Sequence, residues 1–311
     1  MIGQYTSPSD QKSAYLCLLI APFFWAGNIV LGRGFYEQMP PVAISFWRWT
    51  IALIVLFLLD YTNIINQKDL IQRKWKELLW LGITGAVGFN TMTYYGLNYT
   101  TANNTVLMNS LSPIFILLIS ALAFRQKLQV TQILGCVISF LGLVIIMGMS
   151  NIAWDNRKFF NNGDLWVLGA VISWSLYTVS IKNMSLGFSP TVILAAMLIV
   201  SLPFLLPFYI WEMLSQGLIQ LTFENILVLA YFGVLPSVLS YLLWNKGVEK
   251  IGPVRAGIFI HLVPIYGVGL SAIFLGEALH GHHAIGGLLI FFGILIVAIN
   301  KDHAKNEPII R

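Results

Sequence analysis

The sequence predicts an all-α membrane protein with ten transmembrane helices, arranged as two inverted five-helix repeats with both termini in the cytoplasm. Three observations predict this fold class: an apolar composition, ten long apolar stretches, and residues that recur at a fixed spacing. Of the 311 residues, 57% are hydrophobic and only 10% are charged, whereas about 25% of the residues of an ordinary soluble domain are charged. A soluble core of this size cannot bury so much apolar surface, and we expect the surplus to face lipid.

Ten stretches are apolar over about the 20 residues that a spanning helix needs. They cover residues 14–32, 42–60, 78–97, 103–124, 130–149, 164–182, 190–210, 225–245, 255–275 and 283–300. The gaps between them are too short to fold as soluble domains. We therefore expect a multi-pass protein of the cell inner membrane in contact with lipid. No basic and aromatic patch outside the apolar stretches suggests a nucleic-acid partner, and no pattern indicates an oligomeric state.

The placement of Lys and Arg predicts the orientation in the membrane. With the N-terminus inside, fourteen of the 18 basic residues fall in cytoplasmic segments and three in outer segments, namely Arg33, Arg157 and Lys158. Arg48 lies within the second apolar stretch. An odd number of spans would destroy this alternation, so the charges support both the count of ten and the cytoplasmic termini.

Gly, Pro and Trp residues recur between the two halves of the chain. Trp25 and Trp174, and Pro41 and Pro190, are 149 residues apart. Five further pairs are 151 residues apart: Gly82 and Gly233, Gly96 and Gly247, Pro113 and Pro264, Gly135 and Gly286, and Gly142 and Gly293. Compositional bias alone explains one or two such matches. The spacing predicts repeats at residues 14–150 and 163–300, and five spans per repeat invert the second half, an architecture typical of transporters.

Short motifs in both halves resemble the drug/metabolite transporter superfamily, EamA type. They are Phe23-Phe24-Trp25-Ala26-Gly27-Asn28, Ser45-Phe46-Trp47-Arg48-Trp49, Ala102 with Leu111-Ser112-Pro113-Ile114-Phe115, Gly252-Pro253-Val254-Arg255-Ala256, Leu262-Val263-Pro264-Ile265-Tyr266 and Leu275-Gly276-Glu277-Ala278-Leu279. The resemblance covers about residues 14–300 and implies export of small metabolites, often amino acids or their derivatives, by alternating access. The chain departs from the family at Phe124-Arg125-Gln126-Lys127-Leu128, where many members carry an acidic residue.

Arg48 is the strongest single candidate for substrate binding. It lies about seven residues inside the second stretch, roughly 10 Å from the outer end. An Arg at such depth costs at least about 2.5 kcal/mol, so we expect it to face the bundle interior or a wet cavity. Its planar guanidinium suits a substrate carboxylate. The alternative is that Arg48 extends outward or binds helix-end carbonyls.

The repeat spacing also predicts which polar positions meet at the centre. It pairs Asn28 with Tyr177, Asn90 with Tyr241, and Ser110 with His261. Because equivalent residues of an inverted repeat converge near the midplane, we expect these side chains to line a polar site.

Aromatic residues add to this predicted site. Trp25 and Trp174 are expected to contribute, with Tyr94 and Tyr95 nearer the end of a span. Trp244 is also close to a span end, where aromatic residues often anchor a helix at the membrane interface, and we exclude it from the site.

His261 is, besides Arg48, the titratable residue closest to mid-membrane. It is a candidate proton-coupling group because its charge can change near neutral pH. The alternative is a neutral, buried histidine that donates one hydrogen bond to a neighbouring helix, and that interpretation is preferred.

Other patterns indicate structure more than chemistry. Pro113, Pro236 and Pro264 are expected to kink their spans, and the spaced glycines indicate close helix packing. Glu277 and the run His280-Gly281-His282-His283 lack the spacing of a metal site, so we expect no metal and no cofactor. A membrane-embedded enzyme or a scaffold is the alternative class, but the spans contain no catalytic motif and the loops are short.

Overall fold

A computed structural model of the protein describes residues 8–32, 39–100, 102–124, 128–147, 162–184, 187–217, 219, 222–276 and 278–299. These residues fold as helices joined by short turns, with no strand among them. The predicted all-helical class is therefore confirmed.

Eight helices belong to the first half of the chain. They are α1 (Pro8–Gly32), α2 (Pro41–Asn66), α3 (Lys68–Arg73), α4 (Trp75–Gly82), α5 (Gly88–Leu97), α6 (Ala102–Asn109), α7 (Ser112–Phe124) and α8 (Val130–Ile146). A π-helical segment, Ile83–Val87, joins α4 to α5 without a break.

The second half follows the same order without a counterpart of α3. Its helices are α9 (Asn162–Met184), α10 (Pro190–Gln216), α11 (Phe223–Phe232), α12 (Ser240–Ile251), α13 (Pro253–Gly257), α14 (Leu262–Leu275) and α15 (Gly281–Ile299). A second π-helical segment, Gly233–Leu239, joins α11 to α12, and the 3₁₀ segment Ile258–His261 joins α13 to α14.

Eight helical stretches of the described chain are long and apolar enough to cross a membrane, and Val130–Ile146 is a shorter apolar helix. The predicted third span, residues 78–97, is helical throughout but is not among the eight. Its second half contains Asn90, Thr91, Thr93, Tyr94 and Tyr95, and these polar side chains lower its hydropathy. The count of ten spans stays a prediction.

The two π-helical segments lie at equivalent positions, because the spacing of 151 carries Ile83–Val87 onto residues 234–238. In the second segment Pro236 has no N–H to donate to the carbonyl of Phe232 four residues earlier. The hydroxyl of Ser237 donates to that carbonyl instead, at 2.6 Å. A π-bulge inside a helix often marks a functional site.

Matched glycines hold α8 against α15. A Cβ atom on Gly135 would lie 2.7 Å from the carbonyl oxygen of Gly293, and one on Gly142 would lie 2.6 Å from that of Gly286. The repeat relates the two contacts to each other, because Gly135 corresponds to Gly286 and Gly293 corresponds to Gly142. Close helix packing, predicted from the glycine spacing, is confirmed here.

Carboxylates join α2 and α10 at both ends. Glu212 is buried and accepts hydrogen bonds from the backbone N–H groups of Val42 (3.1 Å) and Ala43 (2.7 Å), in the uncapped first turn of α2. At the opposite end, the hydroxyl of Thr191 in the first turn of α10 donates to the carboxylate of Asp60. Negative charge is favourable at a helix N-terminus, so these contacts fix the two helices relative to each other.

Pro113 and Pro264 follow breaks in the helical geometry, as their mid-span positions predict. A turn separates α6 from α7 just before Pro113, and the 3₁₀ segment precedes α14 and Pro264. The carbonyl of Asn109, four residues before Pro113, accepts a hydrogen bond from the hydroxyl of Ser112 at 2.6 Å. The proline therefore opens the backbone without leaving that carbonyl unsatisfied.

Candidate substrate cavity

A cavity of about 400 Å³ lies between the helices of the two halves. Seven of the ten predicted site residues line it: Trp25, Asn28, Arg48, Asn90, Tyr94, Trp174 and Tyr241. The remaining lining residues are Ile29, Phe89, Thr93, Leu97, Thr100, Thr105, Val106, Asn109, Ser110, Ser112, Ile260, Val263 and Pro264. The volume suits a small metabolite.

The side chain of Arg48 is held in place by three hydrogen bonds to other helices. Its Nε donates to Ser237 Oγ at 2.5 Å, and its Nη1 donates to Asn90 Oδ1 at 2.9 Å and to the hydroxyl of Tyr94 at 2.7 Å. The guanidinium carbon also lies 5.3 Å from the centre of the Trp49 ring. Only 3% of Arg48 is exposed, so its orientation is set before any ligand arrives.

The partners of Arg48 are themselves oriented. Asn90 Nδ2 donates to the carbonyl of Ala86 at 3.0 Å, which leaves Oδ1 to accept from Arg48. The hydroxyl of Ser237 donates its hydrogen to the carbonyl of Phe232, so the hydroxyl oxygen is left to accept from Arg48. The second π-helical segment therefore supplies a fixed acceptor for the guanidinium.

The three hydrogen-bond partners of Arg48 are neutral side chains and carry no charge that would offset its own. Among the residues that the structure describes, no carboxylate lies within ion-pair distance of Arg48, and no group accepts a hydrogen bond from its Nη2. A buried, unpaired charge is costly, and an anionic ligand in the cavity would offset that cost.

Aromatic rings form the deep end of the cavity. Trp25 and Trp174, equivalent by the repeat, meet edge to face with ring centres 5.2 Å apart, and Tyr241 packs against both. Trp25 Nε1 donates to the carbonyl of Pro236 at 2.9 Å, and the hydroxyl of Tyr241 donates to the carbonyl of Gly85. In each π-helical segment, one backbone carbonyl therefore accepts a hydrogen bond from an aromatic side chain.

Three predicted site residues do not line this cavity. Tyr177 is fully buried, and its hydroxyl donates to Asn245 Oδ1 at 2.9 Å. His261 is also fully buried, with Nδ1 2.7 Å from Ser139 Oγ and Nε2 2.8 Å from the carbonyl oxygen of Ser110. Tyr95 packs against Trp166 at 5.0 Å, on another face of α5.

The interpretation of Trp244 as an interfacial anchor is wrong. Its side chain is fully buried, and its ring centre lies 5.3 Å from Trp25 and 5.7 Å from Trp174. The helix continues past Trp244 to Ile251, so the residue lies deeper in the bundle than the predicted end of its span implies.

Several residues that line the cavity were not predicted from the sequence. Thr93 and Leu97 follow Asn90 by three and seven positions, which is the spacing of one helix face, and this pattern could have identified them. Asn109 carries a buried Oδ1 without a hydrogen-bond partner among the described residues, and nothing in the apolar sequence around it distinguishes it. Ser237, which binds Arg48 but is not among the lining residues, was not predicted because its counterpart in the first half is Ala86.

The histidine run does not form a metal site in the described chain. The backbone N–H of His280 donates to His283 Nδ1 at 3.1 Å, and no group of three or more His, Cys, Asp or Glu among the described residues is placed to hold a metal ion. Glu277, the acidic residue next to this run, lies outside the described residues.

Comparison with known proteins agrees with this architecture. A family model described as "EamA-like transporter family" matches residues 12–148 and 161–299. The "Uncharacterized transporter YetK" of Bacillus subtilis (strain 168) is 27% identical over 298 residues, covering 96% of this chain and 90% of that protein. The "Probable amino-acid metabolite efflux pump" of Salmonella typhimurium is 24% identical over 297 residues, covering 92% and 95%. A solved crystal structure superposes with a TM-score of 0.77 at 18% identity, covering 95% of this chain and 99% of that one.

Proposed function

Because the chain belongs to the EamA-like transporter family, we propose that this membrane transporter exports a small metabolite carrying a carboxylate, such as an amino acid or a derivative. The observation that carries this proposal is Arg48 in the wall of the cavity, where its partners among the described residues are all neutral. The guanidinium would bind the carboxylate, and Trp25 and Trp174 would contact its apolar part.

The relative named for amino-acid metabolite efflux supports both the substrate class and the outward direction. The polar lining supports it further, because Asn90 and Tyr94 orient the guanidinium while Thr93, Thr105 and Asn109 offer neutral hydrogen-bonding groups. Such groups suit a zwitterionic or hydroxylated solute. Tyr177 and His261, also predicted for this site, would act from behind the cavity wall.

The proposed architecture has ten spans in two inverted repeats, residues 14–150 and 163–300, with both termini in the cytoplasm and the protein in the cell inner membrane. Contacts that exchange between the halves, such as those of Gly135 and Gly142, support the inverted arrangement. The Lys and Arg distribution supports the orientation.

A metabolite comparison tests the function. Cells that express the protein should accumulate one class of carboxylate-bearing compound outside, relative to cells without it. Cells that express Arg48→Ala should lose that accumulation while the variant keeps normal abundance in the membrane. Wild-type accumulation by Arg48→Ala would limit Arg48 to a structural role and contradict the proposed anion site.

Reporter fusions test the orientation separately. Fusions after Asn66 and after Lys305 should report cytoplasmic locations, and a fusion near Arg157 should report an external one. An external location for Lys305 would contradict the arrangement of ten spans.

A further inference from the structure

The cavity lies to one side of the membrane midplane. In the proposed orientation, Leu97, Thr100 and Thr105 mark the outer end of the hairpin between α5 and α6, and all three line the cavity. Its deepest residues are Trp25, Trp174 and Tyr241 near mid-span. The inner ends of the spans contribute no lining residue among those described, so the structure holds an outward-facing cavity.

The repeat maps this outer half onto an inner half that is closed. The counterparts of Leu97, Thr100 and Thr105 at a spacing of 151 are Val248, Ile251 and Ala256. Val248 and Ile251 are 0% and 6% exposed, whereas Leu97 and Thr100 are partly exposed. Thr105 and Ala256 are both buried, at 5% and 0%. Equivalent stretches of backbone therefore surround an open space at one end of the molecule and a packed one at the other.

Two equivalent pairs of side chains also differ between the open outer end and the closed inner end. In the first half, Asn28 and Tyr94 both line the cavity. Their counterparts are Tyr177 and Asn245, the same two residue types with their helices exchanged, and these are joined by a hydrogen bond of 2.9 Å with both side chains buried. This bond ties α9 to α12 across the closed half.

We propose that the hydrogen bond between Tyr177 and Asn245 is the gate that holds the inner half closed. This inference rests on the proposed function. When the gate opens, Val248, Ile251 and Ala256 separate, and the cavity forms on the cytoplasmic side. His261, the counterpart of the lining residue Ser110, then becomes part of the cavity wall.

Contacts that obey the repeat indicate which parts stay fixed during the change. The second access state forms when the two halves exchange their conformations. A contact is therefore unchanged by the transition if the equivalent contact of the other half is already present. The glycine contacts of α8 with α15 have this property. So does the packing of Gly96 on Val167, whose counterpart is the packing of Gly247 on Leu18.

Cysteine accessibility tests the gate. The native Cys17 and Cys136 are free and buried; both are replaced by Ala, and single cysteines are introduced as Leu97→Cys, Val248→Cys or Leu18→Cys. Right-side-out and inside-out membrane vesicles are then treated with a membrane-impermeant maleimide. Leu97→Cys should react from outside and Val248→Cys from the cytoplasmic face. Leu18→Cys is the matched control, buried and next to Gly247, and should react from neither.

Adding Tyr177→Phe removes the hydroxyl of the gate and should raise the cytoplasmic reaction rate of Val248→Cys by about fivefold, the shift expected for losing one hydrogen bond. The rate of Leu97→Cys should fall. If Tyr177→Phe leaves the cytoplasmic reaction rate of Val248→Cys unchanged, or if Val248→Cys reacts only from outside or no faster than Leu18→Cys, the gate is disproved.

Ile251→Cys replaces Val248→Cys if that variant does not yield monodisperse protein. The proposed function fails on a different result, normal export by Arg48→Ala, so each proposal can fail without the other.

Discussion

The two halves of the chain share their packing positions and differ around the cavity. The glycines between α8 and α15, the π-helical segments and the pair Trp25 and Trp174 are matched. In contrast, the repeat counterpart of Arg48 is Met197, and the counterpart of Asn90 is Tyr241. The same backbone must form twice, whereas one site between the halves needs each polar group only once. Matched glycines therefore indicate scaffold and unmatched polar residues indicate binding, whereas the matched Trp25 and Trp174 line the cavity from both halves.

The strongest challenge to this comparison is a bulky residue at a matched glycine. We expect Gly142→Val and Gly293→Val each to lower the yield of monodisperse protein by about tenfold or more, because Cβ atoms there meet backbone at 2.6 Å in both cases and overpacking a tight contact is costly. The measurement is size-exclusion chromatography of the detergent-solubilised protein. Gly287→Val on α15 is the control, since nothing lies within 4 Å of a Cβ at Gly287. A normal yield for either matched variant would show that its half does not depend on this contact.

The unmatched Arg48 should give the next largest effect. Arg48→Met copies the residue of the other half, and we expect the apparent affinity for the exported compound to fall about 10- to 100-fold, the value of a charge-assisted hydrogen bond. Arg48→Lys should recover only part of the loss, because an ammonium group cannot reproduce the planar guanidinium. Transport into vesicles at several concentrations measures the change, with Met197→Leu as the control. Equal affinities for Arg48→Met and wild type would show that the difference between the halves at this position has no role in binding.

A smaller effect distinguishes the two ends of α2 and α10. Glu212→Gln leaves a backbone N–H facing an amide N–H₂ in a buried site, and we expect a loss of about 1–3 kcal/mol in stability. Asp60→Asn should cost less, under about 1 kcal/mol, because Asp60 is only half-buried and its amide can still accept from Thr191. Thermal unfolding of the purified variants gives the comparison. A larger drop for Asp60→Asn would reverse the assignment of the stronger contact.

The smallest expected effect concerns His261. Both ring nitrogens are occupied by hydrogen bonds, to Ser139 and to the carbonyl of Ser110, and the described lining contains no Asp or Glu, so we expect flux down the substrate gradient without proton coupling. His261→Gln keeps hydrogen-bonding capacity and should leave that flux within about twofold of wild type. Vesicles with and without a proton gradient provide the measurement. If wild type concentrates substrate under that gradient and His261→Gln does not, His261 is the coupling group.

Sequence reasoning located the cavity better than it selected the residues that line it. Arg48 could be predicted because an unpaired charge in a span is costly wherever it lies. The repeat identified Tyr177 and His261 as central positions, and both are central. It could not place them relative to the cavity, because both members of some equivalent pairs line it, such as Trp25 and Trp174, and only one member of others, such as Asn28 without Tyr177.

Tyr95 shows a different limit. It directly follows Tyr94, and successive residues of a helix point about 100° apart. The spacing from Asn90 therefore favours Tyr94 over Tyr95 for the same face. The role of Ser237 depends on the carbonyl that Pro236 leaves without a donor, a backbone detail that the apolar pattern of the span does not reveal.

The π-helical segments also set the angular phase of everything beyond them. A π-bulge is in effect one residue added to an α-helix. With all its residues kept but in regular α-helical geometry, Ile83–Val87 would rotate the rest of that span by about 100° around its axis. Asn90 and Tyr94 would then turn away from Arg48, although every residue of the site would still be present. The orientation of the binding side chains thus depends on the π-helical geometry of a segment that contributes none of them.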